Sequence, residues 1–159
     1  MKGKLIWSIF WALVGAFVVV AGTIFVGAPI FGRLQEPALL HALFIGTLAL
    51  FGLGIVGLGV TLIVLTRRAK VRGLLKKFFL LSGASAVGLP VFALLHNVVY
   101  GLFIYFFGEG FWSGIGDEPF FFILATMVCP IAFLVGAIGN AVLFIKKPWL
   151  VPKAPSRRR

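Results

Sequence analysis

The stretch Arg67-Arg68-Ala69-Lys70-Val71-Arg72-Gly73-Leu74-Leu75-Lys76-Lys77 sets six cations within eleven residues, between uncharged runs of 30 residues (Pro37 to Thr66) and 31 residues (Phe78 to Gly108). Each run exceeds the ~20 apolar residues that cross the hydrocarbon of a bilayer. A soluble core could not absorb both. The basic stretch then has to sit in water at a membrane face, and the bias of Lys and Arg toward the cytoplasm assigns it to that side.

Two further uncharged runs flank this pair, Leu5 to Gly32 and Pro119 to Ile145. The first is longer than the roughly 7 to 15 residues of a secretory signal core, so it reads as a retained helix. The expected fold is all-α, a polytopic integral membrane protein. Four transmembrane helices, at about 5–31, 38–66, 78–107 and 119–145, form two hairpins with both termini cytoplasmic. They make one domain over 1–147. Residues 148–159 read as a basic, proline-containing cytoplasmic tail without fixed structure. Composition agrees: 61% of residues are hydrophobic, 12% are charged, and the mean hydropathy is +1.12. With both termini inside the cell, 14 of the 15 Lys and Arg fall on the cytoplasmic side and only Arg33 lies outside, the bias that sets orientation.

The net charge of +11 does not point to nucleic acid, because the cations cluster at the ends of apolar runs and form no folded basic face. Cys129 is the single cysteine, so no intrachain disulfide can form. No phosphate-binding glycine loop, metal-ligand spacing or nucleophile-and-base set is recognisable. The chain is therefore expected to be no enzyme and to need no cofactor. His41 and His96 raise haem ligation as an alternative, but a depth offset of roughly 12 Å at helical rise weighs against it.

Small residues suggest how the helices meet. Ser8, Ala12 and Ala16 recur every four residues, as do Ala132, Gly136 and Asn140, which lets neighbouring backbones approach. On the second helix Gly46, Gly52, Gly54, Gly57 and Gly59 fall on more than one face, the pattern of a helix packed on two sides. Pro90 and Pro130 mark expected interruptions of the third and fourth helices. The halves also resemble each other. Gly57 precedes Arg67-Arg68 by the offset at which Gly136 precedes Lys146-Lys147, and Glu36-Pro37 opens one helix as Glu118-Pro119 opens another, which fits either a duplicated hairpin as in some transporters or the similar punctuation that any membrane helix pair needs.

Polar groups inside the runs are the only candidates for a site. Thr23, Thr47, His96, Asn97 and Thr126 stand at similar depth in the outer half, and Tyr100 shares a helix face with His96 at i and i+4. The layer suits interhelical hydrogen bonding or a small ligand. At the opposite face Arg67, Arg68, Lys70, Arg72, Lys76, Lys77, Lys146 and Lys147 suit contacts with anionic lipid. The leading expectation is a protein acting through helix contacts, as an accessory subunit with a membrane-protein partner or as a homo-oligomer. The alternative is a small transporter or channel component using the polar layer.

Overall fold

A computed structural model describes residues 2–27, 38–112, 114 and 118–146, and all regular structure among them is helical. Four helices are long and apolar enough to cross a membrane. Helix α1 is Lys2–Gly22 and continues as a wider turn over Thr23–Gly27. Helix α2 is Ala38–Arg68 and α3 is Gly73–Phe107. Helix α4 spans Pro119–Lys146. Glu36-Pro37, Arg33 and the tail from 147 onward lie outside the described residues.

The basic stretch is less of a loop than its charge suggests. Arg67 and Arg68 end α2, while Lys76 and Lys77 already stand in the first turn of α3. The chain reverses over 69–72 because α2 closes with a paired-hydrogen-bond cap: Lys70 N–H donates to the Arg67 carbonyl at 3.2 Å and Val71 N–H to the Thr66 carbonyl at 3.4 Å. That geometry requires a left-handed residue, a place usually taken by glycine. Here it is Lys70, at φ 53°.

α1 packs on α2, α2 on α3 and α3 on α4. Aromatic side chains close the bundle: Trp7 of α1 lies 5.2 Å from Phe79 of α3 and 4.4 Å from Phe144 of α4, and Phe17 stacks on Phe133 at 4.1 Å, centroid to centroid. These contacts bring the start of α1, the end of α2, the start of α3 and the end of α4 to one end of the molecule. That is the cationic end.

The core sits in that half. Ile6, Phe10 and Leu13 from α1, Ile55 and Leu62 from α2, Phe79 and Ala86 from α3 and Phe133 from α4 are buried together. Lipid tails are as apolar as these side chains, so van der Waals fit and close backbone approach, rather than escape from water, hold such helices together. Gly136 illustrates the approach: a Cβ there would stand 2.9 Å from Ser82 N and 3.1 Å from the Phe78 carbonyl oxygen. Asn140 one turn on is fully buried, and its Nδ2 donates to Ser82 Oγ at 3.5 Å. The stripe through Gly136 and Asn140 is thus an interface. The stripe on α1 is one only at Ala16, which packs on the core, since Ser8 and Ala12 are exposed and α1 packs mainly through large side chains.

In the other half α1 and α2 are open, with Val18, Val19, Leu50 and Leu53 exposed. Of the α2 glycines only Gly59 meets a neighbour; a Cβ on Gly46, Gly52, Gly54 or Gly57 would meet nothing within 4 Å. The helix contacts both α1 and α3, but only Gly59 among its glycines stands at a close backbone approach.

α3 stays helical through Pro90. α4 handles its proline differently, with a wide π-turn at Leu124–Val128 just before Pro130, in which Cys129 N–H donates to the Leu124 carbonyl. Such a bulge accommodates the missing donor and the ring without breaking the helix.

Candidate functional site at the junction of α3 and α4

Of the polar residues within the helices, His96, Asn97 and Thr126 come together near where α4 begins. Glu118 precedes Pro119 at the first helical position, an arrangement that suits a helix start. Its carboxylate caps α4: Oε1 accepts from Phe120 N–H at 2.8 Å and Oε2 from Phe121 N–H at 3.0 Å. A carboxylate there also favours the positive end of the helix dipole.

The same residue reaches across to α3. His96 Nδ1 lies 3.1 Å from the Glu118 backbone oxygen and 3.3 Å from Oε2. Both partners are acceptors, so Nδ1 carries the hydrogen. Glu118 is only 5% exposed. An acid that the sequence marks only as the opening of a helix therefore forms a buried clasp between two helices. The only sequence signal was the Glu-Pro pair, which marks a cap without revealing what else the cap touches.

Because α4 starts level with His96, the last eleven residues of α3 run past it by about 16 Å at helical rise. The 3₁₀ turn Glu109–Trp112 folds back along this extension. Trp112 is buried against Tyr100 at 6.0 Å and Phe103 at 5.4 Å, and Tyr100 in turn stacks over His96 at 6.4 Å. From Lys77 to His96 is about 28 Å of helix, close to the thickness of a bilayer's hydrocarbon.

His96, Asn97 and Thr126 line one cleft of about 230 Å³ with Ala93, Phe122 and Ala125. Thr23 and Thr47 are not among its walls. Several of these polar groups are already engaged: Thr23, Thr47 and Thr126 hydroxyls donate to the carbonyls of Val19, Leu43 and Phe122, and Asn97 Nδ2 donates to that of Ala93. A side chain bonded to its own preceding turn is tolerated in lipid but contributes little across helices. Among the described residues no group of three His, Cys, Asp or Glu could hold a metal ion. The His41 side chain, the other half of the haem pairing, lies outside the described set.

Comparison with family models, curated proteins and solved structures gave no match. Function has to be argued from the geometry alone.

At the cationic end Arg67, Arg68, Lys70, Arg72, Lys76, Lys77 and Lys146 are all exposed; Lys147 lies outside the described residues. α3 begins there at Arg72 without a side-chain cap, and its first turn holds no acid.

Proposed function

We propose that this chain is a non-enzymatic membrane protein that works by presenting helix faces to another membrane helix, as an assembly partner or as a homo-oligomer. In this reading it crosses the cell membrane four times as two hairpins. Both termini and the basic turn lie in the cytoplasm, where the cations contact anionic headgroups at about 1 kcal/mol each. The observation that carries it is α2, packed on α3 through Gly59 and open at Gly46 and Gly57 on the far side of the helix. Glycine within a helix costs about 0.5–1 kcal/mol relative to alanine. Close approach of a second backbone is the usual compensation in membranes.

The test is native mass spectrometry of the full chain released from its own membrane in nanodiscs. The reading expects an assembly heavier than one chain. A lone chain with bound lipid would overturn it.

A second reading rests on the cleft with His96, Asn97 and Thr126, which would serve a small transporter or channel component. It ranks below the first because the cleft is small and its Asn97 amide and Thr126 hydroxyl already bond to backbone carbonyls. Solute flux into liposomes holding only this protein would reverse that order.

A further inference from the structure

We propose that the cleft between α3 and α4 holds the primary ammonium group of an outer-leaflet lipid, an ethanolamine-type headgroup that enters sideways from the bilayer. This names the ligand class of the cleft on which the transport reading rests, and it leaves the helix-contact reading untouched.

The cleft has a structural cause. α3 and α4 meet tightly at Gly88, where a Cβ would stand 3.0 Å from Cys129 Sγ. Just beyond, the wide turn Leu124–Val128 replaces regular helix and the wall residues Ala93 and Ala125 are small, so about 230 Å³ stays open. Wide turns of this kind recur at functional sites. The space equals roughly seven waters at the volume each takes in the liquid, enough for the few heavy atoms of a headgroup amine but not for a whole lipid.

The hydrogen-bond inventory decides what fits. Thr126 spends its only side-chain hydrogen on the Phe122 carbonyl, and Asn97 spends one of its two on the Ala93 carbonyl. What they keep is mostly accepting capacity, on Thr126 Oγ1 and Asn97 Oδ1, against one remaining N–H of Asn97. Pro130 has no N–H, so a carbonyl of the turn before it, the turn that carries Ala125 and Thr126, also lacks its helical donor. His96 holds its hydrogen on Nδ1, toward Glu118, and has no second N–H to give. Such a wall calls for a ligand with several hydrogens to donate.

Charge narrows that donor to a cation. Every described Lys and Arg stands at the opposite end of the bundle, about 28 Å of helix away, whereas Glu109 and Glu118 stand at this end. Phe122 adds an aromatic ring, which attracts ammonium groups. The mouth of the cleft identifies the source. Asn97 and Thr126 are exposed, and so are Leu94 and Ile123, each three residues earlier on the same helix face. A soluble amine would have to cross that apolar surface, while a headgroup at the outer edge of the hydrocarbon already lies beside it.

The experiment is native mass spectrometry of the full chain in mild detergent, titrated with phosphatidylethanolamine and with phosphatidylcholine of the same acyl chains. The two headgroups carry the same charges, but only the ethanolamine nitrogen has hydrogens to donate. The first ethanolamine lipid should bind roughly tenfold tighter than the first choline lipid, the effect of one or two hydrogen bonds. Asn97→Leu with Thr126→Val should bring that ratio to about one and leave the thermal midpoint in place, since both residues are exposed and bond only within their own helix. Ala93→Leu, which fills the cleft and keeps its polar groups, should abolish the preference as well. Equal binding of the two lipids, or a preference that survives the Asn97 and Thr126 changes, would overturn the proposal. Free ethanolamine that displaces the lipid at equal concentration would overturn the lipid as its source. An ethanolamine preference in a protein that moves no solute into liposomes would remove the transport reading and keep this one; solute flux without the preference would do the reverse.

Discussion

Gly59 and Gly83 face each other across α2 and α3 so closely that a Cβ built on either would stand 3.0 Å from the other's carbonyl oxygen. Backbone cannot move aside as a flexible side chain can. Gly83→Ala should therefore destabilise the bundle by roughly 1–3 kcal/mol, the range for overpacking a fitted interior. Gly101→Ala on the open stretch of α3, where a Cβ meets nothing, should instead stabilise by about 0.5–1 kcal/mol. Thermal unfolding in mild detergent reads both, and equal shifts of the same sign would contradict this contact.

The Glu118 clasp joins a helix cap to an interhelical bond, and the two can be separated. Glu118→Ala removes the cap and the carboxylate's share of the interhelical bond, leaving His96 Nδ1 on the Glu118 backbone oxygen, and should cost about 1–2 kcal/mol, whereas Glu118→Gln keeps an acceptor and should cost less. His96→Leu removes the cross-helix bond and leaves the cap in place. A double-mutant cycle between Glu118→Ala and His96→Leu should return a coupling of about 0.5 kcal/mol or more, typical of bonds within a membrane bundle. A coupling of zero would mean that the two residues are merely adjacent.

Asn140 places an amide in the α3–α4 interface with its Oδ1 unpaired among the described residues. Ser82→Ala would leave Nδ2 without its acceptor as well and should cost about 1–3 kcal/mol. Replacing both, as Asn140→Leu with Ser82→Ala, removes every buried polar atom of the pair and should recover most of that loss. Failure to recover in the unfolding midpoint would show that Asn140 contributes through its shape.

Lys70 holds a left-handed backbone that costs a side-chain-bearing residue roughly 1–2 kcal/mol and glycine almost nothing. Lys70→Gly should raise stability by about 1 kcal/mol and lower affinity for anionic vesicles, since one cation is lost. A variant that binds such vesicles as well as the parent would show that Lys70 does not meet the headgroups.

The four helices and the basic turn between α2 and α3 were legible because length and charge are one-dimensional signals. Hydrocarbon has one thickness, and Lys and Arg gather at its edges. What was not legible is which face of each helix packs. In lipid both faces are apolar, so Ser8 and Ala12 carry the same small-residue signature as Gly136 and Asn140, yet only the second pair is buried. The site was readable in part for a related reason. His96, Asn97 and Thr126 could be placed by depth, but Glu118 joined them through the level at which α4 starts. No periodicity encodes that.

The whole account depends on four membrane crossings that gather the cations into the cytoplasm. In the Cys129→Ala background, Lys76→Cys and Glu109→Cys, each at an exposed position, sample the two ends of α3. A membrane-impermeant maleimide added to intact cells should label Glu109→Cys, and should reach Lys76→Cys only after the membrane is permeabilised. Labelling of Lys76→Cys in intact cells would contradict the account.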